Sequence, residues 1–282
     1  MKNSILIIIP YFGPLPSWFH FFIESCKHNP QIDWCLFTDQ TSTIELPPNV
    51  RIKHLSFEHY CALVSEKLNI NFNPSSAYKL CDLKPCLAAV HNEEVQGYTF
   101  WGFGDVDVIY GDLKKYISEE MLQHDLISFH NHRVSGHLCL LRNSIKMNYA
   151  FKKYKHWQTL LSDPNHRCFD EKDFNAIFIK HKNWPVKLRR LVYFFNSYMR
   201  NAFFKEAYTT HFSRNVEWKD GSQNFPRQWR YDKSIKSDDS NASEIPYLHF
   251  MVWKKAWGVD RKFSATAIQL PWLINEEGFF KE

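Results

Sequence analysis

The apolar and polar positions of the first half of the chain switch between two periods. Ile5 to Ile9 is an unbroken apolar run that Pro10 stops. That pattern predicts a strand over Ser4 to Pro10 buried on both faces. Trp18 to Cys26 is apolar at helical spacing, and Asp33 to Thr38 predicts a second strand, closed by Asp39 in a Thr-Asp-Gln-Thr turn. After Pro47-Pro48-Asn49 come a third strand, Arg51 to Leu55, and a helix, Phe57 to Leu68. Asn73-Pro74-Ser75-Ser76 signals a helical start that runs through Leu80, and Pro85 opens a further helix to about Val90. Tyr98 to Phe103, Leu126 to His130 and His137 to Leu141 read as strands. Strands alternating with helices predict an α/β fold with a mostly parallel central sheet flanked by helices, Rossmann-like in its first half.

From about Lys180 the pattern changes. Lys180 to Lys205 holds seven Lys or Arg (180, 182, 187, 189, 190, 200 and 205) and no acid, mixed with Trp184, Leu188, Tyr193, Phe194, Phe195, Phe203 and Phe204. This predicts a basic, aromatic helical portion over 180–244, with an exposed loop at Ser234 to Ser243. Ile245 to Val252 returns to β-like order and opens a C-terminal segment, 245–282, that rejoins the 1–179 core.

Composition changes this picture in three places. Aromatic residues are 17% of 282, interleaved with polar groups, so rings are expected on binding surfaces as well as in the core. No apolar run approaches the roughly 18 residues that cross a bilayer, and the start lacks a small-residue cleavage site, so neither a spanning helix nor a secretory signal is expected. The seven cysteines are odd in number and form no Cys-x-x-Cys pair, which points to a reducing compartment without structural zinc. A net charge of +5 suits an anionic ligand without choosing among nucleotide, phosphate and membrane.

The sharpest chemical feature is Asp105-Val106-Asp107. On an extended strand end, residues i and i+2 point to one side, so both carboxylates can face one hard divalent cation. About one Asp-x-Asp is expected by chance in a chain of this length, so context matters. Here the pair follows an apolar strand with two glycines, Gly102 and Gly104, read as letting the backbone approach a ligand.

Phe100-Trp101-Gly102-Phe103-Gly104-Asp105-Val106-Asp107-Val108-Ile109-Tyr110-Gly111 resembles the metal-binding segment of nucleotide-sugar glycosyltransferases with the glycosyltransferase-A fold. The resemblance implies that Asp105 and Asp107 hold Mn²⁺ or Mg²⁺, which bridges the diphosphate of a UDP-sugar donor, with Val106 among the residues that bind the donor. His249-Phe250-Met251-Val252-Trp253-Lys254-Lys255-Ala256-Trp257 is similar to the His-x-x-Gly-x-x-Lys-Pro-Trp tail of the glycogenin-like retaining transferases, with Val252 and Ala256 replacing the family's Gly and Pro. It implies His249 as a third metal ligand and Lys255, or equally Lys254, as the diphosphate contact. Phe169-Asp170-Glu171-Lys172-Asp173-Phe174-Asn175 is similar to the Asp-Gln-Asp-x-Leu-Asn segment of that group, which lies beside the reacting sugar. Glu171 replaces its Gln, and so offers a carboxylate that an inverting enzyme would use as a base.

The same resemblance places Pro10, Tyr11 and Phe12 at the nucleotide base and Asp39 at the ribose. Tyr78-Lys79-Leu80-Cys81-Asp82-Leu83-Lys84-Pro85 resembles the donor-binding helix of bacterial members, with Lys79 facing the phosphates and Asp82 the sugar or metal loop. His130, His132 and His137 lack a fourth zinc ligand; His130, Asn131 and Arg133 are read instead as a floor for sugar hydroxyls. The basic stretch admits two readings, an acceptor-side helical subdomain or a surface resting on an anionic membrane.

Together these imply a nucleotide-sugar-binding core over 1–179 and a metal-dependent hexosyltransferase, retaining rather than inverting, acting on a saccharide or lipid-linked saccharide acceptor in surface polysaccharide assembly. The expected location is the cytoplasm, at the inner face of the membrane, with no nucleic-acid partner. Two other classes share some of these residues: a sugar nucleotidyltransferase, and a non-enzymatic basic module for nucleic acid or membrane.

Overall fold

The computed structural model describes residues 5–180, 184–210, 216–238, 242–257, 263 and 269–282, and the backbone alone at 186, 189 and 190. Lys182, the side chains of Arg189 and Arg190, and 239–241 of the expected loop lie outside the described residues.

Strand β1 (Ile5–Pro10) lies inside the main sheet, with β2 (Ile32–Thr38), β3 (Val50–His54) and β4 (Phe100–Gly104) aligned parallel in the order β3-β2-β1-β4. Its unbroken apolar run is needed because both faces are covered. Leu6 and Ile8 turn toward Tyr60 and Val64 of helix α2 (Phe57–Leu68), while Ile5, Ile7 and Ile9 turn toward Phe19, Phe22 and Ile23 of helix α1 (Phe19–Lys27). The α2 helix starts where the Ser56 hydroxyl accepts the His59 N–H at 3.1 Å, and ends at Asn69 in the left-handed region, φ 53°.

Beyond β4 the sheet turns antiparallel. After β5 (Val108–Tyr110), which leaves the main sheet, come β6 (Leu126–Ser128) and β7 (Leu138–Arg142), and β8 (Ala202–Phe204) closes the edge parallel to β6. The Gly102 position shows why β4 is glycine-rich. A Cβ there would lie 2.5 Å from the Cys139 carbonyl oxygen and 2.8 Å from Leu140 Cδ2, so this glycine serves strand packing and not the expected ligand approach.

The C-terminal portion departs from the helical expectation. Val186–Phe195 is a helix, but β9 (Gln228–Tyr231), β10 (Ile235–Ser237), β11 (Glu244–Ile245), β13 (Trp272–Asn275) and β14 (Gly278–Lys281) build a five-stranded antiparallel sheet, with β12 (Tyr247–His249) between them in sequence. The predicted boundary at 244/245 therefore cuts through β11, and the expected Ser234 to Ser243 loop contains β10. Aromatic packing drives this sheet: Trp229, Tyr231, Trp272 and Phe279 are buried, and Phe21 of α1 stacks on Phe279 with centroids 4.1 Å apart. Helix α1 is thus buried on two sides, by the main sheet and by this second one. No described helix is long and apolar enough to cross a membrane.

Candidate active site

Asp105 and Asp107 stand on the link between β4 and β5. The Trp18 indole N–H donates to the Val106 carbonyl at 3.1 Å and pins that link to the start of α1. β12 pairs antiparallel with β5, His249 opposite Val108, and the Phe250 N–H donates to the Asp107 carbonyl at 3.2 Å. This ladder sets His249 beside the carboxylates. One donor atom from each of Asp105, Asp107 and His249 lies within 4.8 Å of the other two.

His249 Nε2 is 3.4 Å from Asp107 Oδ2, while its Nδ1 shares a hydrogen bond with Thr210 Oγ1 at 3.1 Å. A partner on the far ring nitrogen is the usual way to orient a ligating imidazole. His137 stacks on His249 with centroids 4.1 Å apart. Burial, then the charges of His249 and His130, push the His137 pKa down and keep that ring neutral. Two carboxylates and an imidazole fit a divalent cation, and the nitrogen suits Mn²⁺ better than Mg²⁺.

Each carboxylate also carries a lysine. Lys254 Nζ is 2.6 Å from Asp107 Oδ2, and Lys84 Nζ is 2.6 Å from Asp105 Oδ1 and 2.9 Å from the Gly136 carbonyl. Burial alone would raise the Asp107 pKa and lower that of Lys84. The charges of His249 and Lys254 overcome it for Asp107, and those around Lys84, Asp105 first, overcome it there, so both groups stay ionised.

These groups open on a cavity of about 400 Å³, lined also by Pro10, Tyr11, Phe12, Val106, His137, Asp170, Glu171 and Met251. That volume encloses most of a ligand of drug size. Gly136 is tight against the acidic wall: a Cβ there would lie 2.9 Å from Glu171 Oε1 and 3.0 Å from Asp170 Oδ2. Asp170 is buried, and burial first, with Glu171, Asp105 and Asp82 adding to it against Lys84, raises its pKa to about 7. A carboxyl poised near neutrality is suited to proton transfer.

The same shift has a consequence for stability. The folded state holds the Asp170 proton up to about pH 7, whereas the unfolded chain releases it near 3.8. Stability due to this group is therefore complete below that lower value and is lost as pH rises to 7. Asp170→Asn is expected to be more stable than the parent at about pH 8, by an amount on the order of a few kcal/mol, with the gap closing toward pH 4. Urea unfolding across that range checks it; a pH-independent difference would contradict the assignment.

Seven expected site residues do not line this cavity. Asp39 is at the surface, where its Oδ1 accepts the Gly13 N–H at 3.2 Å and closes the loop after β1. Lys255 is exposed, and its neighbour Lys254 makes the contact with Asp107. Lys79 is buried, donating to the Leu160 and Asn165 carbonyls at 2.8 and 2.9 Å and pairing with Asp82 at 2.9 Å. It cannot face a phosphate from there; Lys84 faces the cavity instead. Asp82 accepts the Arg167 and Phe169 N–H groups, both at 2.7 Å, and so ties down the loop that carries Asp170. Asp82, His166 and Asp170 also lie within 4.8 Å of one another, but these contacts already occupy both Asp82 oxygens. His130 is buried against Glu206 at 3.2 Å, and neither it, Asn131 nor Arg133 lines the cavity; His137 does.

Residues 7–276 match the model of a family described as "Family of unknown function (DUF6625)". The chain belongs to this family. No curated protein matches in sequence. Among solved structures, similar folds include the glycosyltransferase GlyE of Streptococcus pneumoniae TIGR4, at 9% identity and TM-score 0.31, covering 73% of this chain and 46% of that one. Its apo form gives 10% identity and TM-score 0.33, covering 74% and 46%. The apo form of mouse xyloside xylosyltransferase 1 gives 8% identity and TM-score 0.44, covering 89% and 98%. The chain thus spans under half the length of GlyE. At these TM-scores the likenesses decide nothing about the reaction, which rests on the geometry of this family member. Trp18, Lys84, Gly136, His137 and Thr210 were not expected at the site; of these Lys84 lay inside the run from Tyr78 to Pro85 and His137 in the histidine group weighed for zinc, while the other three stood in no chemical pattern.

Proposed function

We propose that this protein is a metal-dependent glycosyltransferase that moves a hexose from a UDP-sugar to a saccharide acceptor in surface polysaccharide assembly, with retention at the anomeric carbon. The observation that carries this reading is the convergence of Asp105, Asp107 and His249 on one cavity that also holds Lys84 and Lys254. Asp105, Asp107 and His249 would hold a divalent cation, which would supply positive charge to a departing nucleoside diphosphate. Lys254 and Lys84, each beside one of the carboxylates, add fixed positive charge where the diphosphate would lie. Tyr11 and Phe12, at the end of β1, offer rings to a uracil, and Asp170 and Glu171 offer acceptors to the hydroxyls of the sugar.

Retention follows the tail from His249 to Trp257, in which Lys254 takes the phosphate-facing place. Inversion is the second reading, favoured by one observation: Glu171 lines the cavity beside Asp170 and offers a carboxylate to take the proton of an acceptor hydroxyl. The test is incubation with a panel of nucleotide sugars and Mn²⁺, with the product anomer read by NMR. UDP-hexose hydrolysis or transfer that stops on chelation, giving the donor's anomeric configuration in the product, is expected. Turnover unaffected by chelation, or release of pyrophosphate from a nucleoside triphosphate, would replace the proposal with nucleotidyl transfer or metal-free chemistry.

A further inference from the structure

The helix Val186–Phe195 turns its apolar side outward. Leu188, Leu191 and Phe195, spaced i, i+3 and i+7 on one face, are 50, 57 and 78% exposed, and Phe194 beside them is 65% exposed. Trp184, one turn earlier, extends the stripe at 45%. An amphipathic helix in a soluble domain normally turns such a face to the core, and a contiguous exposed stripe marks a surface that something else covers.

Charge selects what covers it. From Phe174 to Lys205 the chain carries seven Lys or Arg and no acid. At the foot of the helix, Phe195 and Tyr198 line a groove of about 560 Å³ together with Lys153 and Lys180, with Asp173 as its one lining acid. Lys146 and Lys153 both reach over the Tyr198 ring, at 4.8 and 5.9 Å from its centre. A second copy of the chain would set this basic stretch against an identical one, which like charges oppose. A lipid surface instead supplies an apolar interior for the stripe and a dispersed negative charge for Lys153, Lys180 and Lys187.

We propose that this helix lies in the interface of an anionic membrane, with Leu188, Leu191 and Phe195 inserted and Lys180 and Lys187 at headgroup level. The turn after it, Ser197–Arg200, packs on the helix Asn175–Phe178, which follows Asp170 and Glu171 in the chain. That packing links the docking surface through one short segment to the acidic wall of the cavity, which suits an acceptor saccharide carried on a lipid. That last step rests on the transferase reading; the docking itself does not.

The experiment is flotation of the full chain with phosphatidylcholine vesicles, alone or containing phosphatidylglycerol. Binding is expected to be roughly tenfold tighter on the anionic vesicles and to fall when salt is raised to about 0.5 M. The double variant Leu191→Ser/Phe195→Ser is expected to lose roughly tenfold of that binding at unchanged Tm, since both side chains are exposed. Failure to float, equal binding to neutral vesicles, or a double variant that binds like the parent would overturn the proposal. So would a dimer, seen by light scattering, that the same substitutions dissolve, because it would assign the stripe to a second copy. None of these readouts depends on turnover, so failure of the docking surface and failure of the proposed reaction are seen separately.

Discussion

Asp107→Ala is expected to lose roughly 10³-fold or more in kcat/KM with a UDP-sugar donor, together with measurable Mn²⁺ binding. Asp107 is the most constrained of the three candidate ligands: it is buried, it meets both His249 and Lys254, and its own carbonyl is held by Phe250. Removing it leaves two cationic or neutral partners with nothing to hold and deprives the site of half its carboxylate charge. The fold is expected to survive, because Lys254 is partly exposed and can turn to water. Calorimetric titration with Mn²⁺ beside a donor hydrolysis assay checks both parts. A variant that keeps more than about a tenth of parental turnover would remove Asp107 from the chemistry.

Asp82→Ala carries the largest expected cost in stability, about 3–5 kcal/mol, or on the order of 10 °C in Tm. The pair of Lys79 and Asp82 is almost fully enclosed, at 1% and 0% side-chain exposure. Without the carboxylate, the Lys79 ammonium remains buried with carbonyl oxygens but no counter-charge, and the Arg167 and Phe169 N–H groups lose their acceptor. Lys79→Met is expected to cost less, since Asp82 would still hold two backbone donors. Chemical denaturation of both variants decides it; a loss below about 1 kcal/mol for Asp82→Ala would show that the pair is dispensable. Because Asp82 tethers the segment that leads to Asp170, activity is expected to fall along with stability.

These two carboxylates mark the limit of what the sequence discloses. Ile5 to Ile9 reads directly as a strand covered on both sides, because an unbroken apolar run leaves no face for water. Asp105, Asp107 and His249 are also legible, each standing in a short pattern of its own, and the β5–β12 ladder brings those patterns together. The exchange of roles between Lys79 and Lys84 is not. Both are lysines in adjoining helical turns, and what separates them is the arrival of Leu160 and Asn165 from far downstream, which encloses one and leaves the other facing Asp105. The second sheet was legible in principle. Gln228–Tyr231 and Trp272–Asn275 alternate outward and inward positions, but each is only four residues long, and the basic, aromatic stretch before them draws attention to helical spacing.

The ladder between β5 and β12 also bears on biogenesis. The two aspartates are made well before the histidine that joins them, which lies far downstream on β12. Pairing of such distant segments is among the slower events of folding. A nascent polypeptide that has not yet exposed β12 would therefore have its first strands in place yet lack the full candidate cation cradle, and the three groups would meet only once β12 has emerged and paired with β5.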